Sequence, residues 1–167
     1  MLGVDVSSRM VELARGHVPQ AHFMEMSMTE MRFEDEFDGV LAVYSMLLLD
    51  PPLFRAVGER VVKALKRGGM FYLVLSEPWE EGANLDGELV VEIMEEAMYF
   101  RSYSGDGMII EELLRQGEEA MYFRDYSVKE VRRVFFPLGL EEVSFRREVH
   151  VADDFGLDCR VEFLFRN

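Results

Sequence analysis

The chain has one cysteine, Cys159, in 167 residues. That excludes a disulfide framework and a cysteine-based metal centre, and no metal site is expected. Only three imidazoles are present, His17, His22 and His150. No apolar run approaches the ~20 residues of a membrane helix. No basic leader precedes an apolar segment, so no secretory signal is expected and the cytoplasm is the default address. Positive charge is also short: 18 Lys and Arg face 32 Asp and Glu, for a formal net charge of −14. Nucleic-acid binding needs clustered cations that displace phosphate counterions. Despite a local patch at Arg132, Arg133, Arg146 and Arg147, such partners are not expected. Amides are scarce too (Asn84, Asn167, Gln20 and Gln116), a composition that leans towards a thermophilic source.

Hydrophobic residues make up 49% of the chain, enough to bury a core, and the length suits a single domain over 1–167. LGVDV (2–6) reads as a short strand. Ser7 or Ser8 is a plausible N-cap for a following helix with Met10, Val11, Leu13 and Ala14 at helical spacing. AHFME (21–25) reads as a second strand. FDGVLAVYSMLLL (37–49) begins as a continuous apolar run, the mark of a strand covered on both faces. Helical spacing returns over 53–65, LKRGG (65–69) offers a glycine cap, and MFYLVLS (70–76) is the next buried strand. This alternation predicts a mostly parallel α/β sheet with right-handed crossovers.

Residues 77–126 break the alternation, and a mainly helical insert is expected at about 80–126. It contains a two-copy repeat: EEAMYFRSYS (95–104) returns as EEAMYFRDYS (118–127). Its methionines and aromatics suit a lid, a dimer contact or a helix pair on the sheet edge. Ser127 to Glu130 then spells a capping box. Residues 140–151 and 159–167 read as two final strands, paired antiparallel.

Four stretches taken in order, GVDVSSRMVELA, FDGVLAVYSMLLLD, LKRGGMFYLVL and YSVKEVRRVFFPLGLEEV, resemble class I S-adenosylmethionine-dependent methyltransferases from their second strand onward. The resemblance implies a Rossmann-like sheet, mostly parallel, with a C-terminal antiparallel hairpin. It also implies S-adenosyl-L-methionine as cofactor and a small-molecule or protein acceptor. Asp5 matches the family's ribose-binding acid, since an ionised carboxylate accepts from both hydroxyls; the alternative is a cap on the next helix. Val6 and Met10 would face the adenine, or belong to the core. Ser27 falls where the family usually has an adenine-binding Asp, with Met28 after it; Glu25 is a substitute acid. Tyr44 and Ser45 would lie near the methyl group, where an aromatic face attracts a sulfonium; the alternative for Tyr44 is a core aromatic. Glu77, Tyr122 and Tyr126 are candidate substrate contacts; the alternative for Glu77 is a solvated loop acid. The sulfonium is already activated, so no catalytic base is assigned.

One family feature is missing. The first strand and its Gly-x-Gly-x-Gly loop have no counterpart in this chain, and that strand is central in the family sheet. Its absence is expected to leave a gap or to force its neighbours together, and a homodimer or a partner could cover a gap. A chain in this condition could be a shortened methyltransferase, half of a swapped assembly, or a non-catalytic scaffold that has lost the cofactor.

Overall fold

A computed structural model describes residues 1–77, 90–94, 97–104, 107–113, 125–152 and 156–167, with side chains described outside 90–113 and 149–158. Strand β1 (Leu2–Asp5), helix α1 (Ser8–His17) and strand β2 (His22–Glu25) form the first unit, with β1 and β2 parallel. Ser7 caps α1 by accepting from Met10 N at 3.3 Å. Gly3 is required by packing: a Cβ there would come within 2.6 Å of the Phe23 ring. A 3-10 turn at Met28–Glu30 comes after β2.

Strand β3 (Phe37–Val43), helix α2 (Pro51–Ala64) and strand β4 (Leu65–Ser76) make the second parallel unit. Asp50 Oδ1 caps α2 by accepting from Leu53 N at 2.8 Å, and two prolines occupy the first turn, where their missing N–H is harmless. The expected glycine cap after this helix is not used. The helix ends at Ala64; its last carbonyls, those of Lys63 and Ala64, accept from Asp35 N at 2.9 Å and Glu36 N at 3.0 Å, and the Asn167 side chain donates to Val62 O at 3.4 Å and to Leu65 O at 3.2 Å. Gly68, at φ 80°, instead makes the close turn beside the C-terminus, where its N–H donates to Asn167 O at 2.7 Å.

The insert is where expectation and structure part. Strands β5 (Val90–Met94), β6 (Ala97–Ser104) and β7 (Gly107–Leu113) form an antiparallel three-stranded sheet in place of helices. Val90, Val91, Ile93, Ile109 and Ile110 are β-branched, and Tyr99, Phe100 and Tyr103 are aromatic. Those residues favour a pleated surface over a helix. Copy one of the repeat therefore forms a strand over 97–104. In copy two, residues 125–127 form the lead into a helix.

Helix α3 (Val128–Phe135) starts at the expected capping box. Ser127 Oγ accepts from Glu130 N at 3.3 Å, and Glu130 Oε2 accepts from Ser127 N at 2.9 Å. Strands β8 (Glu141–Ala152) and β9 (Gly156–Arg166) pair antiparallel, as expected of the final hairpin. The main sheet has the order β3-β4-β9-β8, and β4 pairs antiparallel with β9. The core fills one face of it. Phe54, Val57 and Val61 of α2 and Val131 and Phe135 of α3 pack on Phe71, Leu73, Val161, Phe163 and Phe165. Rings stack through this layer; the Phe71 and Phe135 centroids are 5.3 Å apart.

The neighbours of the missing strand are not forced together. β1 and β2 form a separate two-stranded sheet, and β3 is an edge strand of the four-stranded one. β1 and β3 thus each keep an edge without a sheet partner among the described strands. Leu41 and Val43 of β3, apolar residues of a central-strand pattern, are 72% and 49% exposed.

Candidate functional site

Both parallel units place their helix entries at the carboxyl ends of their strands. In open α/β sheets that edge is where ligands bind, at the point where strand order reverses. β1 pairs with β2 and β3 with β4 in separate sheets, so the residues after β1 and after β3 each stand at the carboxyl end of their own parallel pair.

Asp5 is the last residue of β1 and is exposed. Its Oδ1 accepts from Ser7 N at 2.8 Å. The carboxylate thus braces the turn into α1, but the helix cap itself is Ser7. Val6 and Met10, beside it, are 68% and 53% exposed. Neither belongs to the core. Ser27 caps the 3-10 turn, accepting from Thr29 N at 3.2 Å and sharing a 2.7 Å hydrogen bond with the Thr29 hydroxyl. Its hydroxyl is engaged within its own turn. Met28 is half-buried against the core cluster, and Glu25 is exposed at the end of β2.

Tyr44 comes just after β3 with φ at 54°, a left-handed conformation that is strained for a bulky residue. Its N–H donates to Val74 O at 3.0 Å, which ties the strained turn to β4, and its ring is 38% exposed. Sequence periodicity carries no signal for such a backbone angle. Ser45 starts the 3-10 turn at Met46–Leu48 and makes no side-chain cap.

The candidate substrate contacts lie elsewhere. Glu77, the residue after β4, is a cross-link. Its carboxylate takes Arg147 Nε at 2.7 Å and Nη2 at 3.0 Å, and it accepts from Val128 N at 3.3 Å. The acid joins β4, β8 and the first turn of α3. Tyr126 is 2% exposed; it stacks on Phe54 at 4.1 Å and donates to Leu49 O at 2.6 Å, so both its ring and its hydroxyl serve the core. Tyr122 lies outside the described residues.

One cluster goes beyond the residues that the sequence singles out. Tyr72 Oη donates to Glu162 Oε2 at 2.8 Å, and Arg160 Nη2 meets Glu162 Oε1 at 2.7 Å. The hydrogen bond to Glu162 raises the Tyr72 phenol above its usual range, with burial and the carboxylate charge adding to it. Arg160 also titrates above its usual range: burial opposes this, and Glu162, Tyr72 and Tyr44 outweigh it. The alternation Arg160, Glu162, Leu164 in the sequence does indicate one strand face. It does not indicate that Tyr72 and Tyr44 lie opposite.

Among the described residues no group of three or more His, Cys, Asp or Glu is placed to hold a metal ion, and no helix is long and apolar enough to cross a membrane.

Residues 1–69 match a family model described as a methyltransferase domain. No curated protein matches the sequence. Among solved structures, an S-adenosylmethionine-dependent methyltransferase from Clostridium acetobutylicum is 17% identical with a TM-score of 0.69, over 99% of this chain and 74% of that one. A SAM-dependent methyltransferase from Methanosarcina mazei is 16% identical with a TM-score of 0.70, over 99% of this chain and 81% of that one. A Burkholderia thailandensis 1,6-didemethyltoxoflavin N1-methyltransferase, with its substrate and S-adenosylhomocysteine bound, is 15% identical with a TM-score of 0.61, over 99% of this chain and 60% of that one. The fold is that of S-adenosylmethionine-dependent methyltransferases.

Proposed function

We propose that this chain, matched over residues 1–69 to a methyltransferase domain and folded as S-adenosylmethionine-dependent methyltransferases are, transfers a methyl group from that cofactor to a small molecule or a protein. The observation that carries the reading is Asp5, an exposed carboxylate at the carboxyl end of the strand before α1. The residues around it suit the adenosyl half of the cofactor. Asp5 is oriented by Ser7 N–H and accepts from the ribose hydroxyls. Val6 and Met10 offer exposed apolar surface that a purine would cover. Ser27 and Met28 stand at the far side of the adenine, and Tyr44 and Ser45 stand towards the methyl group. A bound cofactor supplies a methyl already activated on a sulfonium, so this chain's own task is positioning. The acidic surface turns away polyanions, which favours small or protein acceptors.

The sequence carries no Gly-x-Gly-x-Gly stretch to approach the methionine half, and among the described strands β1 and β3 each keep an unpaired edge. In our reading a second copy or a partner chain covers those edges, and the protein works in the cytoplasm.

Titration calorimetry with S-adenosylhomocysteine tests the cofactor reading. We expect heat of binding from the full chain and at least a tenfold loss in Asp5→Ala. A ligand at 100 times its Kd stabilises the folded state by about 2.7 kcal/mol. Absence of both heat and a thermal shift at millimolar ligand overturns cofactor binding for this chain and favours the scaffold reading.

A further inference from the structure

A cavity of about 320 Å³ lies between helix α2 and residues 31–34, in the segment that leads into β3. It stands at the amino end of β3, the opposite end from Tyr44. Its shape is built in. Arg60 of α2 donates from Nη1 to Met31 O at 2.7 Å. Four residues on, Asp35 N and Glu36 N donate to Lys63 O at 2.9 Å and Ala64 O at 3.0 Å. The segment is thus pinned to the helix at both ends, and residues 32–34 arch between the pins. Asp35, at φ 51°, takes the left-handed conformation of a tight turn at one foot of the arch. Phe33 in the arch is held edge-on against Phe37, with ring centroids 5.1 Å apart. Pre-formed concave sites with an apolar lining and a few polar groups are the usual form of small-molecule pockets.

The lining has two parts. Met31, Phe33 and Ala56 are apolar, and Arg32, Arg60 and Lys63 bring three cations. Two acids also line it. Glu59 is already paired with Arg55 at 3.3 Å, which leaves Glu34. Arg32 and Lys63 make no ion pair among the described residues, and Arg60 spends one N–H on Met31 O. Inside the cavity positive charge therefore exceeds negative, in a chain of net charge −14. Glu30, Asp35 and Glu36 are near in sequence but do not line it, and Asp38 is taken by Lys66 at 3.0 Å. Salt screens charges that lie about 10 Å from a ligand, so the groups that touch it dominate.

We infer that this cavity is a binding site for small organic anions, flat apolar molecules that carry one carboxylate. The apolar body lies on Met31, Phe33 and Ala56. The carboxylate accepts from Arg32, Arg60 and Lys63, in charge-assisted hydrogen bonds that are stronger than neutral ones. A neutral molecule of the same shape keeps the apolar contact and loses those bonds. A bare anion keeps the bonds and leaves the apolar part wet. The site is separate from the methyl-transfer reading and does not rest on it.

Amide-resolved NMR titration of the full chain tests this with three probes: 2-naphthoate, its neutral counterpart 2-naphthamide, and inorganic phosphate. For a ligand of this size we expect a Kd on the order of 1 mM or below. Naphthoate should bind about fivefold more tightly than either of the others, with the shifts on amides of residues 31–36 and 56–63. Ala56→Met fills the cavity with a good helix former. It should lose about tenfold in naphthoate affinity, with a melting temperature within about 2 °C of the parent. Replacing both exposed cations, Arg32→Gln with Lys63→Gln, should cost about fivefold for naphthoate and nothing for naphthamide. Equal affinity for naphthoate and naphthamide overturns the site, as do shifts confined to other residues. So does full naphthoate affinity in the double variant or in a folded Ala56→Met protein. If Ala56→Met does not fold, the probe ratio and the shift pattern on the parent still decide. S-adenosylhomocysteine calorimetry on the same samples keeps the two readings apart. Naphthoate binding without cofactor heat removes methyl transfer and leaves this site; cofactor heat without naphthoate shifts removes this site alone.

Discussion

At the scale of single residues, Tyr44 offers the cleanest separation of backbone from side chain. A left-handed conformation costs an ordinary residue about 1 kcal/mol, and glycine is spared it. Tyr44→Gly should therefore be more stable than Tyr44→Ala by about 1 kcal/mol, although both lose the same ring. Urea denaturation of the two variants measures the difference; equal stability would mean the positive φ carries no strain. Tyr72 makes a different prediction. Its folded-state phenol titrates above the ordinary value of 10.0, chiefly because it donates to Glu162. The folded state thus holds the proton more tightly than the unfolded chain. The resulting stability is fully present below pH 10 and is lost as pH rises through the raised folded value. Tyr72→Phe should flatten the alkaline limb of a stability-against-pH curve, and an unchanged limb would show that the Glu162 bond is not felt. Neither residue can be singled out in this way from the sequence. A hydrogen bond between positions 90 apart in the chain, as for Tyr72 and Glu162, leaves no local pattern.

Secondary-structure elements are more legible, and the reason differs from one to the next. The helix after residue 127 is readable because its start is chemical. A hydroxyl and a carboxylate three residues apart satisfy two otherwise free amides, whatever the rest of the fold does. The structure shows both bonds. Ser127→Ala should accordingly cost about 1 kcal/mol, seen as a drop in melting temperature, with Ser127→Thr close to neutral. Equal losses in the two variants would mean that packing around the cap, not the hydroxyl, holds the turn. The insert misleads because its glutamates and methionines suggest helix, while the valines, isoleucines and aromatics between them favour strand. The repeat sharpens the point. Arg101 to Ser104 and Arg124 to Ser127 differ at one position, yet the first stretch ends a strand. In the second, Tyr126 is buried and Ser127 caps a helix. After copy two, Glu130 supplies the acid that closes the capping box. The candidate site shows the same division. The apolar runs before Asp5 and Tyr44 place both residues at strand ends. Sequence marks Glu77 and Tyr126 only as neighbours of an edge, and their partners Arg147, Val128, Phe54 and Leu49 come from other elements of the chain.

For the molecule as a whole, the edge of β3 that no described strand pairs with is the decisive feature, and its geometry specifies how to block it. Tyr44 N–H donates across to Val74 O. In a parallel ladder alternate residues turn their backbone groups to the same neighbour. Ala42 and Val40 therefore face β4 with Tyr44, while Leu41 and Val43 turn their N–H and C=O groups to the open side. Apolar edge strands of this kind recruit another strand unless charge or proline blunts them. β3 carries neither from Gly39 to Val43. Val43→Pro removes a donor from the open side and keeps every bond to β4, as proline is tolerated at edges for that reason. Leu41→Lys puts a charge on the same edge. The parent chain should self-associate as its concentration rises into the tens of micromolar in sedimentation equilibrium, despite a net charge of −14 that opposes it. Raising the salt should strengthen the association by screening that repulsion. Both variants should sediment as monomers with unchanged far-ultraviolet circular dichroism. A parent that stays monomeric at every concentration and salt would remove the second copy as occupant of the gap. A strand from another chain would then have to fill it. Association that survives both substitutions would place the contact on some other surface and leave the edge unused.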